Sequence, residues 1–268
     1  MRSLITLATA LALAACSAGV DKQETAADIA IDGTYKADVA ATKLSEKPHT
    51  FTVKDGKYEC STCTPPYTIA ADGAPQPVEG RDYWDAASIK VVDASTLEMT
   101  RYRKGAAIGM TKASLSADGQ ILTWTGTSAD NAQGKSITNV SKSKRAGPAP
   151  AGAHAASGSW LAINEGAQIA DESLTATISV KDGVVSQKFQ NGESYEAKLG
   201  GPQVPLIGDK AGATVAVVAE GDGFKETDYV NGKAVSEFVY DPVDATTIKL
   251  TMRNLRDGST EEYTLRKQ

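Results

Sequence analysis

The stretch Ile248-Lys249-Leu250-Thr251-Met252-Arg253 alternates apolar and polar side chains. A period of two places its three apolar residues on one face of a β-strand and its polar residues on the other. Phe238 and Tyr240 alternate with their neighbours in the same way. Helical periodicity is confined to a turn or two around residues 40–44. The pattern therefore predicts a chain built from half-buried strands.

The same motifs occur twice along the chain, at an offset that stays near 127 residues. Residues 52–56 read Thr-Val-Lys-Asp-Gly, and residues 179–183 read Ser-Val-Lys-Asp-Gly. Five further pairs occur in the same order: residues 33–35 with 158–160, 74–76 with 201–203, 88–92 with 214–218, 104–108 with 231–235, and 121–124 with 248–251. Two copies of about 110 residues indicate a domain duplication, because solenoid repeats have periods of ~20–50 residues.

Turn dipeptides divide both copies into short segments. Asn-Gly and Asp-Gly accept the positive φ of tight hairpin turns and are the strongest short-range hairpin signal. They occur at Asp55-Gly56, Asp72-Gly73, Asp118-Gly119, Asp182-Gly183, Asn191-Gly192, Asn231-Gly232 and Asp257-Gly258. We expect about eight strands per copy, joined by short hairpins into an up-and-down meander.

A stretch rich in Pro, Gly and Ala separates the copies. Residues 146–156 have no apolar period and are typical of a linker. We expect one β domain over residues 31–145 and a second over 157–268. The predicted fold class is all-β, with two tandem up-and-down antiparallel β-barrel-like domains, because closing the sheet removes edges that would pair with other chains.

The N-terminus has the pattern of an export signal. A positively charged start, an apolar run and the sequence Leu13-Ala14-Ala15-Cys16 predict a signal peptide over residues 1–15. The Leu-Ala-Ala-Cys ending resembles the bacterial lipobox, which implies a lipid on Cys16; an ordinary secretion signal is the alternative. Residues 16–30 are typical of a flexible tether. Ser17, rather than Asp, implies the outer membrane, with the protein facing the periplasm.

Charge limits the classes of partner. The chain has 28 Lys and Arg against 33 Asp and Glu. Nucleic acid favours a basic face, so this balance argues against such a partner. It also argues against electrostatic adhesion to an anionic membrane surface. The lipid anchor would then provide the contact with the membrane.

The first strand of each copy carries a family resemblance. Gly-Thr-Tyr at residues 33–35 and Gly-Ser-Trp at 158–160 resemble the Gly-x-Trp start of lipocalin-type barrels. The chain is similar to a group of uncharacterised bacterial exported lipoproteins with two lipocalin-like β repeats. The matching motifs are at residues 77–80, 88–90, 103–105, 116–123, 194–199 and 226–228, and the likeness departs at 244–247. The resemblance implies lipocalin-like domains and the cell envelope, and it carries over no catalytic residue.

After the predicted lipid attachment site at Cys16, the main candidate for chemistry is the motif Cys60-Ser61-Thr62-Cys63. An oxidising compartment favours a disulfide between Cys60 and Cys63; free thiols, redox exchange and metal binding are the alternatives. Redox exchange favours a helix start at the first cysteine, and a zinc site needs two more ligands. We expect a local disulfide, with no metal and no cofactor. The second copy has Gln187 and Gln190 at these positions, so the domain does not require the bridge.

Aromatic residues supply the remaining candidates. Tyr83 and Trp84 follow a predicted loop and are the candidate ligand-binding residues, with capping of one barrel end as the alternative. Tyr35 and Trp160 occupy equivalent positions and are expected to close the barrel bases. Trp124 lies in an alternating run and is expected in the core.

These patterns predict a binding protein and not an enzyme. His49 and His154 are the only histidines, and neither lies in a pattern that supports a catalytic triad. An eight-stranded barrel can hold one small ligand, so we expect a membrane-anchored, non-enzymatic module for a small hydrophobic ligand. The alternatives are an adaptor lipoprotein that binds an envelope protein and a redox or hydrolytic enzyme.

Overall fold

The computed structural model describes residues 31–268, which form two ten-stranded antiparallel sheets. Each sheet curls until its opposite ends approach, through a bridge between Asp72 and Lys90 in one and between Leu199 and Val217 in the other. We call these sheets the first and the second barrel. The all-β, barrel-like fold class is confirmed. The predicted signal peptide, Cys16 and the tether lie outside the described residues.

The first barrel contains β2 (His49–Lys54), β3 (Lys57–Cys60), β4 (Tyr67–Ala70), β5 (Gln76–Pro77), β6 (Ala86–Asp93), β7 (Thr96–Arg103), β8 (Ala106–Leu115), β9 (Ile121–Ser128), β10 (Ile137–Arg145) and β11 (Gly158–Gln168). The second barrel contains β1 (Gly33–Ala37), β12 (Thr175–Lys181), β13 (Val184–Phe189), β14 (Ser194–Lys198), β15 (Val204–Pro205), β16 (Thr214–Glu220), β17 (Gly223–Val230), β18 (Lys233–Asp244), β19 (Thr247–Asn254) and β20 (Thr260–Lys267). Short 3₁₀ helices at Val39–Ala41 and Asp171–Ser173 precede β2 and β12. Neither helix in this part of the chain is long and apolar enough to cross a membrane.

The first strand of the chain does not join the strands that follow it. β1 lies between β12 and β20, and Tyr35 pairs with Ala176 and Lys267. β11 takes the corresponding place between β2 and β10, where Trp160 pairs with His49 and Arg145. The first barrel is therefore continuous from β2 to β11, and it is inserted between the first and second strands of the second barrel.

This topology differs from the predicted boundaries at 31–145 and 157–268. The predicted linker, residues 146–156, joins two neighbouring strands of one barrel. It lies against that barrel, because the His154 amide donates to the Val53 carbonyl at 2.8 Å. The two opening motifs, Gly-Thr-Tyr and Gly-Ser-Trp, are closely similar in sequence. Sequence similarity alone could not decide between them.

The hairpin predictions hold where strands meet at two-residue turns. Asp55 and Asn231 have φ angles of 50° and 51°, and the glycines after them also have positive φ. This conformation matches the right-handed twist of the flanking strands. Each sheet has ten strands and not the predicted eight, partly because pairs as short as β5 and β15 take part.

Each barrel buries one face of every long strand. Trp160 and Tyr35 are fully buried at equivalent positions, each at the centre of one core. The indole nitrogen of Trp160 donates to the Ala156 carbonyl at 3.0 Å. Trp124 is half-buried and donates to the Ser143 hydroxyl at 3.1 Å.

Candidate functional site

Tyr83 and Trp84 lie in the loop between β5 and β6, at the open end of the first barrel. Both border a cleft of about 420 Å³. The Trp84 ring packs edge-on against Tyr67 with ring centroids 6.0 Å apart, while Tyr83 is 38% exposed. The pair therefore lines an open cleft and does not seal it. Contact with a ligand remains a prediction.

Two arginines add positive charge to this aromatic end. The Arg81 guanidinium lies 4.8 Å above the centre of the Tyr67 ring and 5.3 Å from that of Trp84. Arg101 in β7 lies 5.9 Å from the Trp84 ring and borders the cleft. Such cation–π contacts leave the N–H donors of a guanidinium free for a further partner. Within residues 31–268, no carboxylate forms a salt bridge with either arginine.

Buried donors near these arginines lack partners. Arg81 donates to the Thr64 and Pro65 carbonyls, but its Nε has no hydrogen-bond partner in the described part of the chain, and neither does the Tyr58 hydroxyl. Burial raises the pKa of Tyr58 well above its usual value, so the hydroxyl keeps its proton. An unsatisfied buried donor costs about 1–3 kcal/mol.

The cysteines lie beside a histidine in the same barrel. Cys60 and Cys63 form a disulfide, as predicted, with Cα atoms 5.4 Å apart. The His49 ring packs between Phe51 and Trp124, with centroid distances of 5.7 and 5.9 Å. Burial and then the charge of Arg101 lower the pKa of His49, so its ring is neutral at neutral pH. One ligand atom from each of His49, Cys60 and Cys63 lies within 4.8 Å of the others.

The second barrel contains a smaller and more apolar cavity of about 260 Å³. Aromatic and aliphatic side chains from six of its strands form the wall: Tyr35, Ile178, Phe189, Phe238, Leu250, Met252, Tyr263 and Leu265. Gln187 and Tyr240 form the polar floor, where the Gln187 amide donates to the Tyr240 hydroxyl at 2.9 Å. This cavity has the apolar lining that suits a hydrocarbon group.

A buried pair of acidic residues, Glu226 and Asp228, lies next to this polar floor. The Tyr195 hydroxyl donates to Glu226 at 2.7 Å, and its distance to the Gln187 side-chain oxygen is 3.0 Å. Complete burial raises the pKa of Glu226 well above its usual value, and Asp228 adds to the effect. Burial also raises the pKa of Asp228 to about 6. The Asp228 Oδ1 atom is buried without a partner in the described residues.

Sequence analysis missed this acidic pair, although a signal for it exists. β17 buries Phe224 and Val230, and the alternation of a strand places Glu226 and Asp228 on the same face. Acidic residues in phase with buried apolar ones indicate carboxyls that point inward. The same test applied to β7 finds Arg101 in phase with buried Leu97.

Arg101 and Asp228 occupy equivalent places in the two barrels. Each is the sixth residue of an eight-residue strand, and the pairing register shifts directly after each of them. One barrel therefore has a positive charge where the other has a carboxyl group. The two copies share a fold but differ in charge at this position.

The open ends of the two barrels meet. Ser173 and Asn191 of the second barrel border both the cleft and the apolar cavity. Asn139 of the first barrel donates to the Ser173 hydroxyl at 3.1 Å. Arg256 forms a 2.6 Å salt bridge with Asp82. These contacts place the cleft and the cavity next to each other across one interface.

The other histidine has a structural environment. The His154 Nε2 lies 2.7 Å from the Asp93 carbonyl, and Nδ1 accepts from the Ala156 amide at 3.2 Å. Both ring nitrogens thus bind the backbone and hold residues 153–157 against the first barrel.

Comparisons with protein families, with curated proteins and with solved structures find no match to this chain. The chemistry of the two barrel interiors is therefore what points to function.

Proposed function

We propose that this protein is a lipid-anchored, non-enzymatic binding protein of the bacterial cell envelope, and that it holds a small, mainly hydrophobic ligand with an anionic group. Its lipid would be on Cys16, and its barrels would face the periplasm from the outer membrane. The observation that carries the proposal is the cleft of the first barrel, where Trp84 and Arg101 line one open space.

The cleft supplies complementary chemistry for both parts of such a ligand. Arg101 provides guanidinium donors, which bind carboxylate or phosphate oxygens with strong, directional hydrogen bonds. Tyr83 and Trp84 provide flat apolar surfaces against which a hydrocarbon can pack. The apolar cavity that adjoins through Ser173 and Asn191 offers space for more of the ligand. A cleft of this volume fits a small molecule.

The charge of the ligand can be tested with three probes that share a hydrocarbon chain. Octanoate, octanol and octylammonium differ only in the head group, and isothermal titration calorimetry measures their affinities. We expect wild-type protein to bind octanoate most tightly. Arg101→Met keeps most of the side-chain volume but removes the charge, so octanoate affinity should fall about tenfold or more.

Arg253 provides the matched control, because it is exposed on the outer face of β19. Arg253→Met should leave the affinity for octanoate unchanged. The proposal fails if wild-type protein binds octanol as tightly as octanoate, or if Arg101→Met and Arg253→Met behave alike.

A further inference from the structure

The His49–Cys60–Cys63 cluster has a property that the ligand-binding proposal does not use. His49 comes from β2, Cys60 ends the neighbouring β3, and Cys63 follows in the next loop. Phe51, two residues after His49, pairs directly with Cys60 across the sheet. The three potential ligand atoms lie within 4.8 Å of one another. An imidazole and two sulfurs thus converge at one point in the wall of the first barrel.

The second barrel shows that the fold does not need this cluster. Tyr35 pairs with Ala176 where Trp160 pairs with His49, so Ala176 is the counterpart of His49. Gln187, which pairs with Ile178, is likewise the counterpart of Cys60. At the repeat offset, Gln190 corresponds to Cys63. All three members are present together in one copy and absent together from the other, which indicates that they act as a unit.

We propose that reduction of the Cys60–Cys63 disulfide turns this cluster into a binding site for one Cu⁺ ion. A dithiol donor supplies two electrons and two protons, which break the S–S bond and form two thiols, while the donor becomes a disulfide. Cu⁺ then binds both sulfurs and the His49 imidazole, and the two thiol protons leave to solvent. The oxidised form holds no such ion because its sulfurs are bonded to each other.

The number and type of donors favour Cu⁺ over Zn²⁺. Structural zinc sites take four ligands, and no fourth His, Cys, Asp or Glu of residues 31–268 belongs to the cluster. Thiolates select soft ions such as Cu⁺. Cys60 is completely buried, and aromatic rings flank the His49 imidazole. Two thiolates and one Cu⁺ carry a net negative charge, and the positive Arg101 acts on this part of the barrel.

The test uses the full chain with Cys16→Ser, in which Cys60 and Cys63 are the only cysteines. Cu⁺ is titrated without oxygen in competition with bathocuproine disulfonate, after reduction with a phosphine or without reduction. We expect one tightly held Cu⁺ per reduced chain and none per oxidised chain. X-ray absorption should show two sulfurs and one nitrogen around the copper. Circular dichroism should show an intact β-sheet signal in the reduced protein.

The two histidines of the chain provide a matched pair of variants. His49→Gln should lower the Cu⁺ affinity about tenfold or more, whereas His154→Gln should leave it unchanged. The proposal is overturned if His49→Gln binds Cu⁺ like wild type, if the reduced protein loses its β-sheet signal, or if it prefers Zn²⁺. It is also overturned if Cys60→Ala, Cys63→Ala protein binds Cu⁺ as well as the reduced wild type does. None of these outcomes bears on the binding of octanoate, so the two proposals can fail independently.

Discussion

Replacing Trp160 by alanine is expected to lower the free energy of unfolding by about 3–5 kcal/mol. The side chain is fully buried, and its loss leaves a large cavity and removes the cation–π contact with Arg145, 4.2 Å away. The backbone amides that lose protection against hydrogen exchange should be those of residues 49–168, although Trp160 belongs to the second sequence copy. Urea unfolding measures the magnitude, and hydrogen exchange with mass spectrometry locates the weakened strands.

Tyr35→Ala is the matched variant, because Tyr35 holds the equivalent place in the second barrel. Its loss of protection should fall on residues 175–267, at the far end of the sequence from the substitution.

A disulfide test gives the same information in another form. Thr34 and Thr177 face each other across β1 and β12, with hydroxyl oxygens 2.8 Å apart. Cysteines there should crosslink, whereas cysteines at Thr34 and Thr50 should not; the reverse result would contradict the inserted topology.

The pH dependence of stability should report the buried acidic pair. The folded-state pKa of Asp228, about 6, lies above its ordinary value of 3.8. Folded protein therefore holds a proton that the unfolded chain has released, and its contribution to stability is lost as pH rises through 6. Between pH 5 and pH 8, we expect Asp228→Asn to gain about 1–2 kcal/mol relative to wild type.

Comparison of the two proteins at each pH reports the Asp228–Glu226 pair, because Asp228 also raises the pKa of Glu226. The lowered pKa of His49 acts in the opposite direction, because the unfolded chain binds a proton that the buried imidazole does not. That contribution is common to both proteins and cancels in the difference. Asp222→Asn, in an exposed turn between β16 and β17, is the control. A difference that stays constant from pH 5 to pH 8 would show that Asp228 is ionised throughout.

Local patterns were sufficient to predict the alternating strands and the tight hairpin turns of this protein, but not the number of strands in each sheet. Alternation around Leu250 and the Asp55-Gly56 and Asn231-Gly232 turns each depend on a few neighbouring residues, and the structure has them as predicted. The place of β1 was not predictable in this way. It depends on which of two chemically similar strands completes a sheet, a choice between remote partners.

The candidate site was predictable only in part. Tyr83 and Trp84 do border a cleft of about 420 Å³ at the open end of the first barrel. Arg101 was not assigned to the site. Its strand, β7, follows the loop that carries Trp84, and only the folded barrel brings its guanidinium to 5.9 Å from the Trp84 ring. Glu226 and Asp228 could have been found by comparing their phase with that of Phe224.

The content of the barrels in the cell tests the proposed function most directly. The lipidated protein is purified from its own envelope without heating and examined by native mass spectrometry, beside the Arg101→Met variant prepared in the same way. Our account predicts a small acidic, mainly hydrophobic molecule bound to wild-type protein and lost from the variant. Folded wild-type protein that repeatedly carries no such molecule, or a variant that retains the same molecule to the same extent, would contradict it.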